Sequence, residues 1–110
     1  MRKIEQEMVT AIRAGRNWKS GNTEVLHDPV IGGCEVEVWL HGNLIAKRYY
    51  RGDAPGQWQI TLAGWNTNTT RSRLNALMYV IAPHMGQVHT RKGRAYLAQR
   101  PMGGNEWMAV

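Results

Sequence analysis

The segment Thr67–Arg73 combines residue types that bind anions in proteins. Hydroxyl groups at Thr69 and Thr70 and guanidinium groups at Arg71 and Arg73 stand where an apolar, helix-like pattern begins. Free backbone N–H groups at a helix N-terminus bind phosphate and carboxylate groups, and arginine adds charge-assisted hydrogen bonds to both. Cations in the first turn oppose the helix dipole by about 0.3–1 kcal/mol each, so their presence needs an explanation. The segment predicts a phosphate or carboxylate site.

A structural role is the alternative for the two arginines. Glu24, Glu35 and Glu37 lie in predicted strands, and any of them could pair with an arginine at the start of the helix. In that case Arg71 and Arg73 stabilise the fold, and their replacement lowers stability rather than binding.

A second basic cluster, Arg91-Lys92-Gly93-Arg94, lies at the tip of a predicted hairpin. Projecting basic side chains reach phosphate groups or enter a groove of nucleic acid, so Arg91, Lys92 and Arg94 join the predicted site. The alternative is a solvated turn, because charged turns are common on protein surfaces.

Aromatic side chains are interleaved with cations elsewhere in the chain, a composition that suits base stacking on a single strand. The secondary candidates for such contacts are Arg16, Trp18, Lys19, Arg48 and Tyr50. The sequence has five Trp, four Tyr and no Phe. Most of these rings must therefore fill the core, which is their structural alternative.

Catalytic and metal-binding patterns are weak. Cys34 has no histidine partner close in the sequence and is expected to be a buried small hydrophobe. His84 and His89 lack the spacing of metal ligands, and Asp28 and Asp53 lie in separate loops. We therefore expect a protein that is not an enzyme and that uses no metal and no cofactor.

Charge indicates the class of partner. The 110-residue chain has 14 Lys and Arg against eight Asp and Glu, a formal net charge of +6. This balance favours an anionic partner, and we expect nucleic acid. The alternative is an inhibitor or interaction module that docks on an acidic host-protein surface, and composition does not separate the two because both use the same charge. A single cysteine indicates a reducing compartment, and no apolar run approaches the about 20 residues of a membrane span. We expect a cytoplasmic protein without membrane contacts.

Apolar periodicity predicts the elements that position these groups. Helices are expected over about residues 2–14 and 69–82, the first ending at Gly15. A polar turn over residues 17–22 precedes a strand at 23–27, and later strands cover 34–51, 58–63 and 87–99. The fold class is α+β, with one antiparallel sheet of five to six strands and two helices on one face. This domain covers residues 1–100, and residues 101–110 are expected to form a loosely held tail to which Trp107 and Met108 could dock.

Two hairpins are clear in the sequence. In the first, a Gly42-Asn43 turn places Val38 opposite Lys47 and Glu37 opposite Arg48. A slip by one residue is the alternative, and it loses the Glu37–Arg48 pair. In the second, a Lys92-Gly93 turn places His89 and Tyr96 together on the outer face.

Three stretches resemble small proteins encoded by tailed bacteriophages. They are RNWKSGNT at 16–23, LHGNLIA at 40–46 and GWNTNTTRSRLNAL at 64–77, of which the third is the most specific. The similarity extends from about residue 16 to residue 97. Phage proteins of this kind often act on host or phage nucleic-acid machinery, so the resemblance implies the host bacterial cytoplasm as the setting. It implies no particular activity and no catalytic residue.

Overall fold

The computed structural model describes residues 1–30, 33–50 and 56–110. Within these residues the chain forms two α-helices, nine strands and a 3-10 turn at Pro83–Met85. The helices and strands are, in chain order, α1 (Lys3–Ala14), β1 (Trp18–Ser20), β2 (Thr23–His27), β3 (Cys34–Leu40), β4 (Asn43–Tyr49), β5 (Trp58–Ile60), α2 (Asn68–Ile81), β6 (Val88–Arg91), β7 (Arg94–Leu97), β8 (Arg100–Pro101) and β9 (Met108–Ala109). The predicted α+β class is confirmed.

The strands form two antiparallel sheets rather than the single sheet that was predicted. Six strands form the larger sheet in the order β1-β2-β3-β4-β5-β9, and the smaller sheet has the order β6-β7-β8. Helix α1 packs against β1, β2 and α2, whereas α2 contacts β4 on one side and β6 on the other. Helix α2 thus joins the two sheets, and apolar side chains from both sheets and both helices share one core.

Both helices follow their predicted patterns. Helix α1 ends at Gly15, whose φ of 66° lets its N–H reach the carbonyl groups of the last turn. Helix α2 begins after Thr67 and ends before Pro83. The stripe predicted for α2 is buried at Leu74, Leu77 and Met78 and half-buried at Ile81.

The predicted turn over residues 17–22 is wrong because part of it forms β1. Trp18 pairs opposite Val25 and Ser20 opposite Thr23, which leaves a two-residue turn at Gly21 and Asn22. Trp18 packs against the core, so an aromatic side chain that looks solvated in the sequence helps to extend the sheet.

The predicted register of the first hairpin is wrong by one residue at the turn. The turn residues are His41 and Gly42, with φ values of 51° and 75°, as a two-residue hairpin turn of this type requires. Asn22 holds His41 in this conformation: its carbonyl accepts the His41 N–H at 2.8 Å, and its side-chain amide lies 3.3 Å from the imidazole. A contact from the turn between β1 and β2 therefore favours the turn at His41 and Gly42.

The corrected register changes the charged pairs but not the apolar face. Glu37 lies opposite Lys47, not Arg48. Irregularities between Cys34 and Val36 and between Val38 and Trp39 shift the pairing, and the two valines remain fully buried as predicted.

The second hairpin has its predicted register, with Val88 opposite Leu97 and Thr90 opposite Ala95. The strand predicted over residues 58–63 is shorter and ends at Ile60, although Leu62 is still buried. The last residue of the strand predicted over 34–51 and the loop predicted at Asp53 lie outside the described residues. In the C-terminal segment, Tyr96 pairs with Pro101 and Ile60 with Met108.

Candidate nucleic-acid interface

The start of α2 separates the residues that were predicted to bind one anion together. Thr67 caps the helix, and its hydroxyl oxygen accepts the Thr70 N–H at 3.2 Å. The Thr70 hydroxyl is buried and bonded to that of Thr67 at 2.9 Å. Thr69 lines the same side of the helix as Thr70, away from Arg71.

The threonines line an uncharged pocket of about 380 Å³. Its walls are formed by Leu40, His41, Asn43, Ile45, Leu62, Trp65, Thr67, Thr69 and Thr70. No lysine or arginine among the described residues lines it, so the two threonines and the two arginines do not form a common phosphate site.

Arg73 is inside the protein rather than on an anion-binding surface. Its side chain is 4% exposed, and Nη1 lies 2.8 Å from Oε2 of Glu5, which is 3% exposed. Nε donates to Thr23 at 3.0 Å. If Arg73 had a structural role, its predicted partner was Glu24, Glu35 or Glu37. Its partner is instead Glu5, on α1. Arg73 therefore connects α2, to which it belongs, with α1 and β2.

Arg71 has a different environment from Arg73. Its guanidinium donates to the side-chain oxygens of Asn66 and Asn68, both of them neutral groups. It lines a groove of about 830 Å³ between α2 and β6. The positive charge of Arg71 is thus held in place without being neutralised by a described carboxylate.

The predicted basic tip joins β6, the strand that forms the far wall of this groove, to β7. Arg91, Lys92 and Arg94 are exposed, and none forms an ion pair within the described part of the chain. Lys92 and Gly93, with φ values of 51° and 78°, form the turn, and Arg91 and Arg94 are the strand residues on either side of it. Three cations are therefore clustered at the tip of this hairpin.

Two aromatic rings share the outer face of this hairpin with its arginines. His89 lies opposite Tyr96 and Arg91 opposite Arg94, and alternation along each strand places all four side chains on one face. The two rings stack with centroids 5.8 Å apart, and the Arg91 guanidinium lies 4.9 Å from the Tyr96 ring centroid. We call His89, Arg91, Arg94 and Tyr96 the hairpin face.

Hydrogen bonds fix this face relative to the helix. Nε2 of His89 lies 2.6 Å from the Ala98 carbonyl, and a carbonyl only accepts, so Nε2 carries the proton. Asn75 of α2 bonds both backbone groups of Val88: its amide donates to the carbonyl at 2.9 Å, and its side-chain oxygen accepts the N–H at 2.6 Å. The groove between α2 and β6 is therefore built by specific contacts.

Sequence reasoning missed Tyr79 and the position of His89 in the groove. Tyr79 is 70% exposed and lines the groove together with His89, Gln87 and Thr90. The available signal was helical spacing, because Tyr79 stands eight residues after Arg71 and off the apolar stripe of α2.

The secondary candidates lie elsewhere on the protein. Arg16 and Trp18 line a surface pocket beside α1, and Lys19 lines another near the His41-Gly42 turn. Arg48 forms an ion pair with Glu35 at 2.9 Å and lies 5.5 Å from the Trp58 ring centroid. Tyr50 is 56% exposed. None of them lines the groove beside the hairpin.

The described residues contain no group of three or more histidine, cysteine, aspartate or glutamate side chains that could hold a metal. Cys34 is buried, as expected, and burial is the main cause that raises the pKa of its thiol, with a further contribution from Glu37. The protonated thiol is a poor nucleophile.

Comparison with known proteins identifies the family. No curated protein and no solved structure matches the chain. None of the helices described here is long and apolar enough to cross a membrane. A family model described as Kyanoviridae Gp96 protein matches residues 1–109. The chain therefore belongs to this bacteriophage protein family, and the resemblance to small phage proteins is confirmed.

Proposed function

We propose that this protein binds nucleic acid through the hairpin face, the adjoining Lys92 and, across the groove, Arg71. The observation that carries the proposal is the hairpin face itself, which presents two stacked aromatic rings and two guanidinium groups on one side of one hairpin. The proposal includes the host bacterial cytoplasm as the place of action.

Charge supplies the affinity in this proposal. Arg71, Arg91, Lys92 and Arg94 have no carboxylate partner among the described residues. Each can neutralise a backbone phosphate and release a counterion, which gives affinity with little dependence on sequence. Arginine is well suited to this role because its planar group forms paired hydrogen bonds with phosphate oxygens.

The aromatic rings favour nucleic acid over an acidic protein surface. Carboxylates would satisfy the same cations, but they offer no flat π surface to His89 and Tyr96. Bases do, and stacking on an aromatic side chain is worth about 1–3 kcal/mol per base. A nucleic-acid partner therefore accounts for both the rings and the cations, whereas an acidic protein surface accounts for the cations alone.

The test compares two double variants with equal loss of charge. Arg91→Ala with Arg94→Ala removes two cations from the hairpin face, and Lys3→Ala with Arg13→Ala removes two exposed cations from α1. Fluorescence anisotropy with mixed-sequence DNA and RNA, between about 50 and about 200 mM salt, gives affinity and salt slope.

We expect the hairpin variant to bind more weakly and its salt slope to become shallower by about one unit per lost phosphate contact. The control pair should retain most of the affinity. Equal losses in the two double variants, or no binding of either nucleic acid by the wild-type protein at low salt, would refute the proposal. Capture of an acidic host protein in the second case would support the alternative partner.

A further inference from the structure

We propose that the groove between α2 and β6 accepts one unstacked base of a single strand between the rings of Tyr79 and His89. This inference rests on the proposed function and specifies its substrate class as single-stranded nucleic acid. The groove is bounded by α2 on one side and β6 on the other, with Met1 and Glu5 near the start of α1 also in its lining, and both Tyr79 and His89 line it.

The exposed side chain of Tyr79 is the observation that points to a ligand. Its side chain is 70% exposed, although it follows Leu77 and Met78, which are both buried. A large ring that is exposed beside a groove keeps both its apolar surface and its hydroxyl available to a ligand. His89 reaches the same groove from β6, and the bond from its Nε2 to the Ala98 carbonyl restrains its ring.

The lining of the groove fits a nucleobase better than an aliphatic or a charged group. Neutral polar side chains line the groove, among them Ser72, Gln87 and Thr90, and the Glu5 carboxylate that also lines it is paired with Arg73. Amide and hydroxyl groups donate to and accept from the edges of bases. The volume of about 830 Å³ exceeds that of one base, so the strand can enter together with its sugar.

Each wall of the groove carries a cation within reach of its aromatic residue. Arg71 precedes Tyr79 by eight residues on α2, a rise of about 12 Å along the helix. Arg91 follows His89 by two residues on β6, a rise of about 7 Å along the strand. Phosphates of a strand whose base enters the groove can therefore meet a guanidinium group from α2 or from β6.

Preorganisation makes this site selective for single strands. The paired hydrogen bonds between Asn75 and Val88 hold the two walls at a fixed separation. In a duplex each base is stacked and paired, and its removal costs a few kcal/mol. A single strand avoids this cost, so the groove should discriminate in its favour.

The experiment uses the full chain and three fluorescein-labelled DNA probes: a mixed-sequence single strand, its duplex, and a strand of the same length in which abasic sites replace the bases. The variant is Tyr79→Ala, and Tyr79→Phe retains the ring. Tyr49→Ala is the matched control, because Tyr49 is also exposed and lies outside the groove. Thermal melting of each variant confirms that it is folded.

We expect Tyr79→Ala to weaken binding of the single strand by about tenfold or more, as the loss of one stacked base predicts. Tyr79→Phe and Tyr49→Ala should bind as the wild type does. Affinity for the abasic strand and the salt slope should not change, because no cation is lost. Wild-type protein should prefer the single strand to the duplex.

The outcomes separate this inference from the proposed function. If the hairpin arginine variant loses affinity while Tyr79→Ala and Tyr49→Ala both bind normally, the base site is refuted and the proposed function stands. A loss in Tyr79→Ala that is equal for the abasic strand also refutes the base site. Absence of nucleic-acid binding by the wild type refutes both.

Discussion

Arg73 on α2 and Glu5 on α1 form a buried ion pair, with 2.8 Å between Nη1 and Oε2 and side chains that are 4% and 3% exposed. The carboxylate also accepts the Arg2 N–H at 3.1 Å and the Ser72 hydroxyl, so it caps α1 and fixes α2 at once. The arginine that seems to oppose the dipole of α2 is thus needed for the packing of the two helices.

Removal of either partner should destabilise the protein strongly. Glu5→Gln leaves Arg73 as a buried charge without its counterion, and Arg73→Ala leaves the Glu5 carboxylate as a buried charge without its counterion. Breaking a buried pair in this way costs about 3–5 kcal/mol. We expect losses of this size in urea unfolding, whereas Arg71→Ala, which removes a guanidinium outside the core, should change stability by no more than about 0.5 kcal/mol.

The double variant Glu5→Leu with Arg73→Met provides the control for this prediction. Apolar replacement of a complete buried pair is often neutral, so the double variant should be more stable than the two single losses added together. A strictly additive result would show that the two side chains do not act as a pair.

The Glu5–Arg73 pair should also make stability depend on pH. Burial favours protonation of Glu5, but hydrogen bonds from Ser72, the Arg2 N–H and Arg73, together with the charge of Arg73, lower the pKa of its carboxyl below the ordinary value. A carboxyl of this kind stabilises the fold fully above its unfolded-state pKa of about 4.3 and loses that contribution as the pH falls through its folded-state pKa.

We therefore expect the stability difference between wild type and Glu5→Gln to narrow as the pH falls below about 4.3, because the side-chain amide of the variant does not titrate. Urea unfolding at a series of pH values and constant salt measures this difference. Parallel pH profiles for the two proteins would contradict a lowered Glu5 pKa in the folded state.

The C-terminal segment should depend on Trp107 for its position. The Lys47 ammonium lies 4.0 Å from the Trp107 ring centroid and 4.9 Å from that of Tyr49. Trp107→Ala removes a cation–π contact worth about 0.5–1 kcal/mol at an exposed site. We expect faster hydrogen exchange at residues 108–110 with little change in the melting temperature.

Lys47→Gln is the matched variant for Trp107→Ala, because it removes the cation and keeps the ring. It should reproduce part of the increase in exchange. If neither substitution affects exchange in this segment, the pairing of β9 with β5 holds the C-terminus without help from Trp107.

Local signals in the sequence were sufficient for both helices and for the second hairpin. Gly15 and Thr67 mark helix ends through their own conformation and hydrogen bonds, and Lys92-Gly93 supplies the turn that aligns Val88 with Leu97. The sequence also contains a signal for the burial of Glu5 and Arg73, in their helical spacing from apolar residues. Glu5 precedes Val9 by four residues and Arg73 precedes Leu77 by four, which places both charges on buried helix faces.

Features that depend on distant contacts were not predictable in this way. The turn at His41 requires Asn22, nineteen residues earlier in the chain. The groove requires Tyr79 and His89, which belong to elements with different periodicities and meet only because α2 packs beside β6. Spacing within one element cannot reveal a site that two elements form together.

Asn75 should be required for the groove, because it replaces a neighbouring strand at the edge of β6. Its side chain satisfies the N–H and the carbonyl of Val88, and Asn75→Ala leaves both groups without these bonds. Loss of such partners costs about 1–3 kcal/mol per buried polar group. We expect hydrogen–deuterium exchange to accelerate in β6 and β7 while α1 and the larger sheet stay protected. We also expect weaker binding of single-stranded DNA, although no charge has changed.

Gln87→Ala is the control for Asn75→Ala, because Gln87 is an exposed position in the same groove. It should leave exchange in β6 unchanged. Unaltered exchange in β6 of Asn75→Ala would show that the core contacts of Val88 and Leu97 alone hold the small sheet against α2.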